Sequence, residues 1–287
     1  MSVKLREIKQ RITSTRQIHK VTDTLQRIAA AHLAESRRVT EISEKYTERL
    51  TLVVQDVLFS LGDIPPHPLA MHGRSASPVA LIVFGADRGL YGGYNSRLMD
   101  RVKAFMAEQP SDNVRLFVLG KTTDRRSRKR GYQIVQNLSQ PSLHNRFTVL
   151  NGIVQDITRS FLGGEFREIL VLYMKFVSGF EQVPTIERVL PVSIDMRSSA
   201  KSSFRNASFE SAPRDMLSRL LPEYVQQIID HAFLNSISSE NAARQIAMNR
   251  AAENADEVLT EQTKIYRRLR QENITTEMME IAGGRIN

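Results

Sequence analysis

The chain contains no cysteine and no tryptophan, and only 7% of its 287 residues are aromatic. Without cysteine it can form no disulfide, use no thiol nucleophile and build no cysteine-based metal site. The scarcity of aromatic residues favours long helices over an all-β sandwich. No stretch of the sequence approaches the ~18 uncharged apolar residues of a membrane-spanning helix. We therefore expect any association with a membrane to go through partner proteins.

Basic residues outnumber acidic ones, giving a formal net charge of +9 and a sequence pI of about 9.9. This balance favours an anionic partner, which can be nucleic acid, a lipid surface or an acidic protein surface. The charged start of the chain lacks the apolar core of a secretory signal. Its basic residues at helical spacing are also typical of a transit peptide. The apolar pattern continues unbroken to about Leu61, however, so we expect a mature N-terminus.

The N-terminal segment carries one long apolar stripe. Apolar residues recur in steps of three and four, and no Gly or Pro interrupts residues 2–61. The pattern predicts a single helix over about residues 3–61, roughly 85–90 Å long. Gly62 and Pro65 follow and end it. A stripe that runs well past ~25 residues is typical of a coiled coil.

The C-terminal segment has the same character, starting near Pro213 and stopping at Gly283 and Gly284. Both segments have an Ala-rich section, within residues 29–34 and 242–255, where two backbones can approach closely. Neither helix can bury its stripe alone in water. We therefore expect the two ends of the chain to pair as an antiparallel coiled coil, with the middle of the chain inserted between them.

The middle of the chain changes its period. Short apolar runs predict strands, and helical stretches alternate with them, which predicts a parallel, Rossmann-like α/β domain. The strands are predicted at residues 79–84, 114–119, 132–135 and 168–177, and the helices at residues ending near 106, 122–130 and 147–162. The expected organisation is an N-terminal coiled-coil helix (1–62), a linker (63–77), the α/β domain (78–195), a linker (196–212) and a C-terminal coiled-coil helix (213–287).

Two Gly-containing turns invite a nucleotide-binding interpretation. Gly120-Lys121-Thr122 follows a strand as in a P-loop, but the Gly required five residues earlier is Arg115. A second turn follows the first strand, but its glycine order is not that of a dinucleotide site, and no acidic residue ends the next strand. We interpret it as a tight turn that needs positive φ and close backbone packing. Its members are Asp87, Arg88, Gly89, Gly92 and Gly93.

No catalytic or metal site emerges from the sequence. The six histidines show no metal-ligand spacing, and no Ser–His–Asp set can be assembled. We therefore predict a non-catalytic chain without a cofactor. The densest basic run can grip phosphates, yet it has no accompanying aromatic set for base stacking, so a solvated helix face is its ordinary interpretation. This run consists of Arg125, Arg126, Arg128, Lys129 and Arg130.

A second basic cluster lies in the C-terminal segment, where the apolar stripe becomes sparse. This pattern is typical of a helix that contacts a polar protein surface and not a hydrophobic core. The cluster contains Lys264, Arg267, Arg268 and Arg270, followed by the polar residues Gln271, Asn273, Thr275, Thr276 and Glu277.

Several motifs occur in a fixed order along the chain. The first runs from Ile8 to Thr22, with Lys9, Arg11, Ile12, Ser14 and Lys20. The second is Asp87-Arg88-Gly89-Leu90-x-Gly92-Gly93-x-Asn95, and the third is Gln182-Val183-Pro184-Thr185. The most specific is Ser239-Glu240-x-Ala242-Ala243-Arg244-x-x-Ala247-Met248, with a closing Arg270-Gln271-x-x-Ile274-Thr275-x-Glu277-x-x-Glu280. In order and spacing the chain resembles the gamma subunit of F-type ATP synthases over nearly its whole length.

The resemblance implies a rotor. In this family the coiled coil fills the axis of a hexamer of alpha and beta subunits, and the α/β domain sits on the membrane ring of c subunits beside epsilon. Ion flow turns the ring and the gamma subunit with it, and the catalytic beta subunits are forced through their states in turn. The implied location is the cytoplasmic face of a bacterial cell membrane, as a peripheral part of the complex.

The resemblance also implies contact residues. The shaft-to-hexamer contacts fall on Arg244, Arg270, Gln271, Thr275, Glu277 and Glu280, and the contact with the c ring falls on Phe209 and Glu210. Phe209 stands where the family usually has Tyr. Leu25 replaces a usual Met and Tyr91 a common Cys, which indicates a divergent branch.

Two other classes of function remain open from the residues alone. One is a coiled-coil scaffold that holds nucleic acid or an anionic membrane through its basic face. The other is a Rossmann-type enzyme. Salt-dependent DNA binding would favour the scaffold, nucleotide binding by the isolated chain would favour the enzyme, and co-purification with alpha and beta subunits would favour the rotor.

Overall fold

A computed structural model describes residues 3–60, 67–71, 73–109, 113–192 and 213–283. The contacts divide the chain into two compact units. Unit 1 consists of Met1–Ala31 with Arg244–Asn287, and unit 2 of His32–Ala243. Two long helices, α1 (Val3–Ser60) and α5 (Pro213–Gly283), contribute to both units. These two elements confirm the helices predicted for the ends of the chain.

The two helices run antiparallel, because contacts advance along α1 as they retreat along α5. In unit 2, Thr40 Oγ1 lies 3.0 Å from Ser238 Oγ. Further along α1, the Gln227 side-chain amide donates to Thr47 Oγ1 at 2.9 Å. In unit 1, Thr15 Oγ1 donates to Gln262 Oε1 at 3.3 Å. The predicted antiparallel coiled coil is confirmed, and its seam carries hydroxyl and amide groups as well as the apolar stripe.

The inserted part of the chain forms a five-stranded sheet in the order β3-β2-β1-β4-β5. Strands β1, β2, β3 and β4 are parallel, while β5 pairs antiparallel with β4. The strands are β1 (Val79–Phe84), β2 (Val114–Leu119), β3 (Ile134–Leu138), β4 (Glu168–Phe176) and β5 (Gln182–Leu190), and the connecting helices are α2 (Tyr94–Glu108), α3 (Lys121–Lys129) and α4 (Arg146–Leu162).

The four predicted strands are parallel, as expected, but the sheet also contains β5, which was not predicted and which pairs antiparallel with β4. The short connection after β4 is a hairpin, and a hairpin can only return the chain antiparallel to the strand it leaves. The sequence does not predict this strand, because β5 is half exposed and lacks a continuous apolar run. It also contains Pro184, which argues against a strand in general but is tolerated at a sheet edge. The third strand also begins later than predicted, at Ile134 and not at residue 132.

Both faces of the sheet are covered, so β1 is buried along its whole length. Its alternating side chains enter two separate cores. Ala80, Ile82 and Phe84 pack with α4 and with the unit 2 parts of α1 and α5. Val79, Leu81 and Val83 pack with α2 on the other face. The helix pair is therefore one covering layer of the α/β domain, and not only a neighbour of it.

The segment predicted as the first linker has structure of its own. Residues Pro68–Ala70 form a short 3-10 helix, and the Leu69 side chain is buried. The Val192 backbone N–H donates to the Leu69 carbonyl at 2.8 Å, which ties this turn to the end of β5. The predicted domain limits themselves stay a prediction.

A buried ion pair joins α4 to α5. Arg146 Nε lies 2.8 Å from Asp230 Oδ1, and the two side chains are only 13% and 4% exposed. Burial raises the pKa of Asp230, and the Arg146 guanidinium opposes that rise through its charge and its hydrogen bond. Arg146 therefore stabilises the ionised form of Asp230 in this buried position.

We expect Arg146→Met to destabilise the protein by about 3–5 kcal/mol, because it leaves the Asp230 carboxylate buried without its cation. The free energy of unfolding in urea measures the effect. Arg159→Met, in the exposed pair with Asp156 on the same helix, is the matched control and should cost less than about 1 kcal/mol. Equal losses in the two variants would contradict the buried-pair interpretation.

His231 gives the fold a pH dependence. Burial lowers the pKa of His231 below its ordinary 6.5; Lys175 adds to this effect, while Glu187, Glu44 and Asp230 oppose it. Between the lowered pKa and 6.5 the unfolded chain binds a proton that the folded chain does not. The free energy of unfolding should therefore fall as the pH drops below 6.5. His231→Gln should flatten this decline, whereas the exposed His144→Gln should not; an unchanged slope in His231→Gln would refute the assignment.

Candidate functional site

The predicted shaft contacts lie on the unit 1 part of α5. Arg270, Gln271, Thr275 and Glu277 are exposed within two turns of the helix, and Thr275 Oγ1 donates to the Gln271 carbonyl at 2.9 Å. Arg244 lies at the other end of this part of α5 and is half buried. The structure therefore groups four of the six predicted residues on one short stretch of helix and leaves Arg244 apart from them.

Three of the predicted contact side chains are not described. Glu280 lies in the helical range of α5, but its side chain is outside the described residues, and so are Phe209 and Glu210 entirely. The assignment of all eight contact residues to partner subunits stays a prediction.

Apolar side chains share the end of α5 with the polar contacts. Ile274 is 44% exposed, Met278 67% and Met279 66%. The apolar stripe predicted for the C-terminal segment extends to Gly283, so the sequence did not predict this exposure. Large apolar side chains clustered in water are typical of a surface that a partner covers. This end of the helix therefore offers both charged and apolar contacts.

The seam of unit 1 buries a short series of side chains from both helices. Ala29 is fully buried on α1, and Met248 and Ala255 are nearly so on α5. Thr22 is also buried, and its hydroxyl donates to the carbonyls of Ile18 and His19 at 3.0 and 2.9 Å within its own helix. Small side chains and internally satisfied hydroxyls let the two helices pack closely.

The Gly-rich turn after β1 holds neighbouring loops together. Asp87 Oδ1 accepts the backbone N–H of Lys121 at 2.9 Å and that of Gln140 at 3.4 Å. The Thr122 hydroxyl donates to the Asp87 carbonyl at 3.0 Å. Asp87 thus links the loops that leave β1, β2 and β3. These contacts favour the interpretation of the turn as a structural element.

Positive φ occurs in this turn, though not at every predicted position. Gly92 has φ of 54°, and Leu90 has φ of 71°. Gly89 and Gly93 have ordinary φ, and a Cβ atom at either would meet nothing within 4 Å. Close packing occurs instead at Gly85, where a Cβ atom would stand 1.9 Å from Thr123 Oγ1. Gly85 was not among the glycines that the sequence pattern indicated.

The carboxyl ends of the parallel strands, where doubly wound domains bind ligands, are covered by α5. Ser236 Oγ donates to the Phe84 carbonyl at 3.1 Å and lies 2.9 Å from the Tyr94 hydroxyl. Ser239 Oγ donates to the Met174 carbonyl at 2.8 Å. We name Ser236, Ser239 and Asn235, whose Oδ1 accepts the Phe176 N–H at 3.3 Å, the polar latch. It fills the position that a nucleotide would take in a Rossmann-type enzyme.

The polar latch was missed by sequence reasoning, although its signal is visible. Residues 235–241 read Asn-Ser-Ile-Ser-Ser-Glu-Asn in the middle of a long helix, and six of these seven are buried. Buried polar side chains are uncommon unless they have specific partners. Burial raises the pKa of the Tyr94 hydroxyl, and the nearby Glu240 adds to this, so Tyr94 stays a neutral donor.

Within the described ranges, no group of three or more His, Asp or Glu side chains is placed to hold a metal ion. A separate search of the same ranges finds no helix with the length and apolar character to cross a membrane.

Comparison with known proteins gives a consistent result. A family model described as ATP synthase matches residues 4–285. The ATP synthase gamma chain of Roseiflexus sp. (strain RS-1) is 30% identical over 281 residues, which cover 97% of this chain and 96% of that protein.

Solved structures show the same fold. A rotor chain of Euglena gracilis mitochondrial ATP synthase has a TM-score of 0.64 at 12% identity and covers 94% of this chain and 99% of its own. A chain from the central stalk and c ring of Tetrahymena thermophila mitochondrial ATP synthase has a TM-score of 0.59 at 18% identity. The match covers 80% of this chain and 99% of that one.

The packing of Gly85 gives a testable prediction. We expect Gly85→Ala to destabilise the protein by about 1–3 kcal/mol, because the new methyl group overlaps the Thr123 side chain. Thr123→Gly in the same chain should recover part of the loss, because the three nearest atoms all belong to that side chain. The free energies of unfolding of the two single variants and the double variant form the test, and strictly additive losses would contradict it. At Gly120 the nearest atoms are backbone atoms of residues 85 and 86. Thr123→Gly should therefore recover none of the stability that Gly120→Ala loses.

Proposed function

The chain belongs to the gamma family of ATP synthase subunits, and from this premise we propose that it is the central rotor stalk of an F-type complex. It couples ion flow through the membrane ring to ATP synthesis or hydrolysis on the catalytic beta subunits. Its partners are the alpha and beta subunits of the hexamer, the epsilon subunit and the c ring. The chain makes and breaks no bond itself, and it acts as a peripheral subunit at the cytoplasmic face of a bacterial cell membrane.

The pairing of the two chain ends is the observation that carries this proposal. A part that transmits torque needs resistance to bending and twisting, which two helices packed side by side supply better than one. Unit 1 has the required construction, with Ala29 and Ala255 buried in the seam and Thr15 bonded to Gln262. Most of its outward side chains are charged or polar, which suits a surface that moves past several different partners, although Ile18, Val21 and Ile28 are also exposed.

Asymmetric contacts with the hexamer provide the coupling. Three identical beta subunits differ only if something biases each one differently, and a contact shifts an equilibrium only when it differs between the states. Arg270, Gln271, Thr275 and Glu277 are exposed on one stretch of α5. In the proposed complex this group would meet the three beta subunits unequally. In this proposal Arg270 pairs with acidic loops of the beta subunits as these move, and Arg244 and Glu280 extend the contact.

The α/β domain serves assembly and not chemistry. The polar latch occupies the strand ends where a nucleotide would bind, so this domain offers its outer surfaces to the c ring and to epsilon. Phe209 and Glu210 are the proposed ring contacts on the basis of the resemblance. The turn containing Asp87 holds the loops of this domain in place.

The experiment is to express the chain with its alpha, beta, epsilon and membrane subunits and to measure ATP hydrolysis and ATP-driven ion pumping together. We expect the chain to co-purify with alpha and beta. Arg270→Glu should leave hydrolysis running but lower the ions pumped per ATP, since a charge-assisted contact of about 1.5–3 kcal/mol is lost.

Arg159→Glu is the matched control. Arg159 is an exposed arginine on α4, and its Nη1 lies 3.5 Å from Asp156 Oδ1 in an exposed pair. It belongs to neither the basic cluster near Arg270 nor the proposed contacts, so coupling should be retained. Equal coupling in wild type and Arg270→Glu would reject the contact assignment, and failure to co-purify with alpha and beta would reject the rotor itself.

A further inference from the structure

The basic run that sequence analysis noted has no part in the proposed rotor mechanism. In the structure it forms α3, which lies on the α2 side of the sheet. The helix buries Thr123 and Ser127, and Ser127 Oγ contacts Met99 Sδ at 3.8 Å. Every basic side chain of the run is exposed. The helix therefore has an inner face of small polar residues and an outer face of cations.

Some of these cations are already engaged. Arg128 Nε donates to both carboxylate oxygens of Asp124, at 3.0 and 3.1 Å. Arg130 donates to the Met99 carbonyl at 3.0 Å, and Arg126 to Ser96 Oγ at 3.3 Å. These bonds fix α3 against α2, so the outer face is held in one orientation.

The remaining cations form a separate surface. The side chains of Lys121, Arg125 and Lys129 follow one another at intervals of four residues, so they line one side of α3. None of them has a hydrogen-bond or ion-pair partner among the residues that the structure describes. Arg88 joins them, since its carbonyl lies 3.5 Å from Thr122 Oγ1 in the first turn of the helix and its side chain is exposed. We name these four residues the basic face.

We propose that the basic face binds the anionic headgroups of a phospholipid bilayer. Exposed Lys and Arg side chains adsorb to such a surface by charge, and the attraction adds up with each cation. Leu90, two residues from Arg88, is 65% exposed and adds one apolar side chain beside the cations, while the cations themselves contact the headgroups. A nucleic-acid partner is less favoured, because the exposed aromatic side chains of the described residues, Tyr46, Phe147 and Phe180, lie on other elements.

This inference rests on the proposed function only in placing the chain beside a membrane. Lipid binding through α3 would hold the α/β domain near the bilayer surface by a weak, salt-sensitive attraction. A diffuse electrostatic contact of this kind does not fix one orientation, so it is compatible with rotation.

The test is co-sedimentation of the purified full-length chain with vesicles. One set contains phosphatidylcholine alone and the other contains phosphatidylcholine with phosphatidylglycerol. We expect binding to the anionic vesicles only, and binding that decreases as salt is added. Arg125→Gln with Lys129→Gln should weaken the partition roughly 30-fold, from about 1 kcal/mol per cation.

Lys45→Gln with Arg49→Gln is the matched control. It also removes one Lys and one Arg, four residues apart, both exposed on the helix α1. The control should bind like wild type, and circular dichroism verifies that both double variants fold. Equal binding to the two vesicle types, or equal loss in both double variants, overturns the proposal.

Stronger binding to duplex DNA through Arg125 and Lys129 also overturns the proposal, since it assigns the face to nucleic acid. The rotor proposal is tested separately by co-purification and coupling, so failure of one does not imply failure of the other.

Discussion

The burial of two apolar helical stripes is the constraint on which the rest of the structure depends. Neither α1 nor α5 has enough surface within itself to remove its stripe from water. In unit 1 the helices bury Leu5, Ala29, Met248 and Ala255, while Ile18, Val21 and Ile28 stay exposed. In unit 2 the pair also covers one face of the sheet. Leu50, Val54 and Val57 of α1 and a series of α5 side chains lie in the same core as β1. The sheet therefore has no complete core without both ends of the chain.

A second constraint acts at the edge of the sheet. Parallel strands of an α/β domain end in a crevice that usually holds a ligand. Here Ser236 and Ser239 of α5 bond directly to carbonyls at the ends of β1 and β4. The domain has the framework of a nucleotide-binding fold, but its ligand position is taken by its own chain. Because α5 occupies the ligand position, a fold that is common among enzymes can serve a subunit whose proposed role is mechanical.

The strength of the local signal decided what the sequence could predict. The bounds of β1 and β2 are those predicted from their continuous apolar runs, and the long helices follow from unbroken periodicity. The edge strand β5 has no such run and escaped detection. The polar latch was missed because the polar run at residues 235–241 shows that these side chains are polar, but does not show the partners that make their burial favourable. The polar group near Arg270 was predicted from sparse apolar spacing and from resemblance, while the exposure of Met278 and Met279 is a property of tertiary packing that apolar periodicity does not reveal.

The antiparallel closure of the chain has a consequence for its synthesis. Residues of α1 leave the ribosome first, yet their partners on α5 are made last, and contacts such as Thr15 with Gln262 span 247 residues. The sheet face that packs against α5 also stays uncovered until α5 is made. Phe233 of α5 packs edge-on against Phe84 of β1 on this face, with ring centres 5.8 Å apart. A nascent chain thus exposes its apolar helix until translation is nearly complete. Slow, non-local closure of this type favours aggregation, so early capture by a partner would protect the newborn subunit.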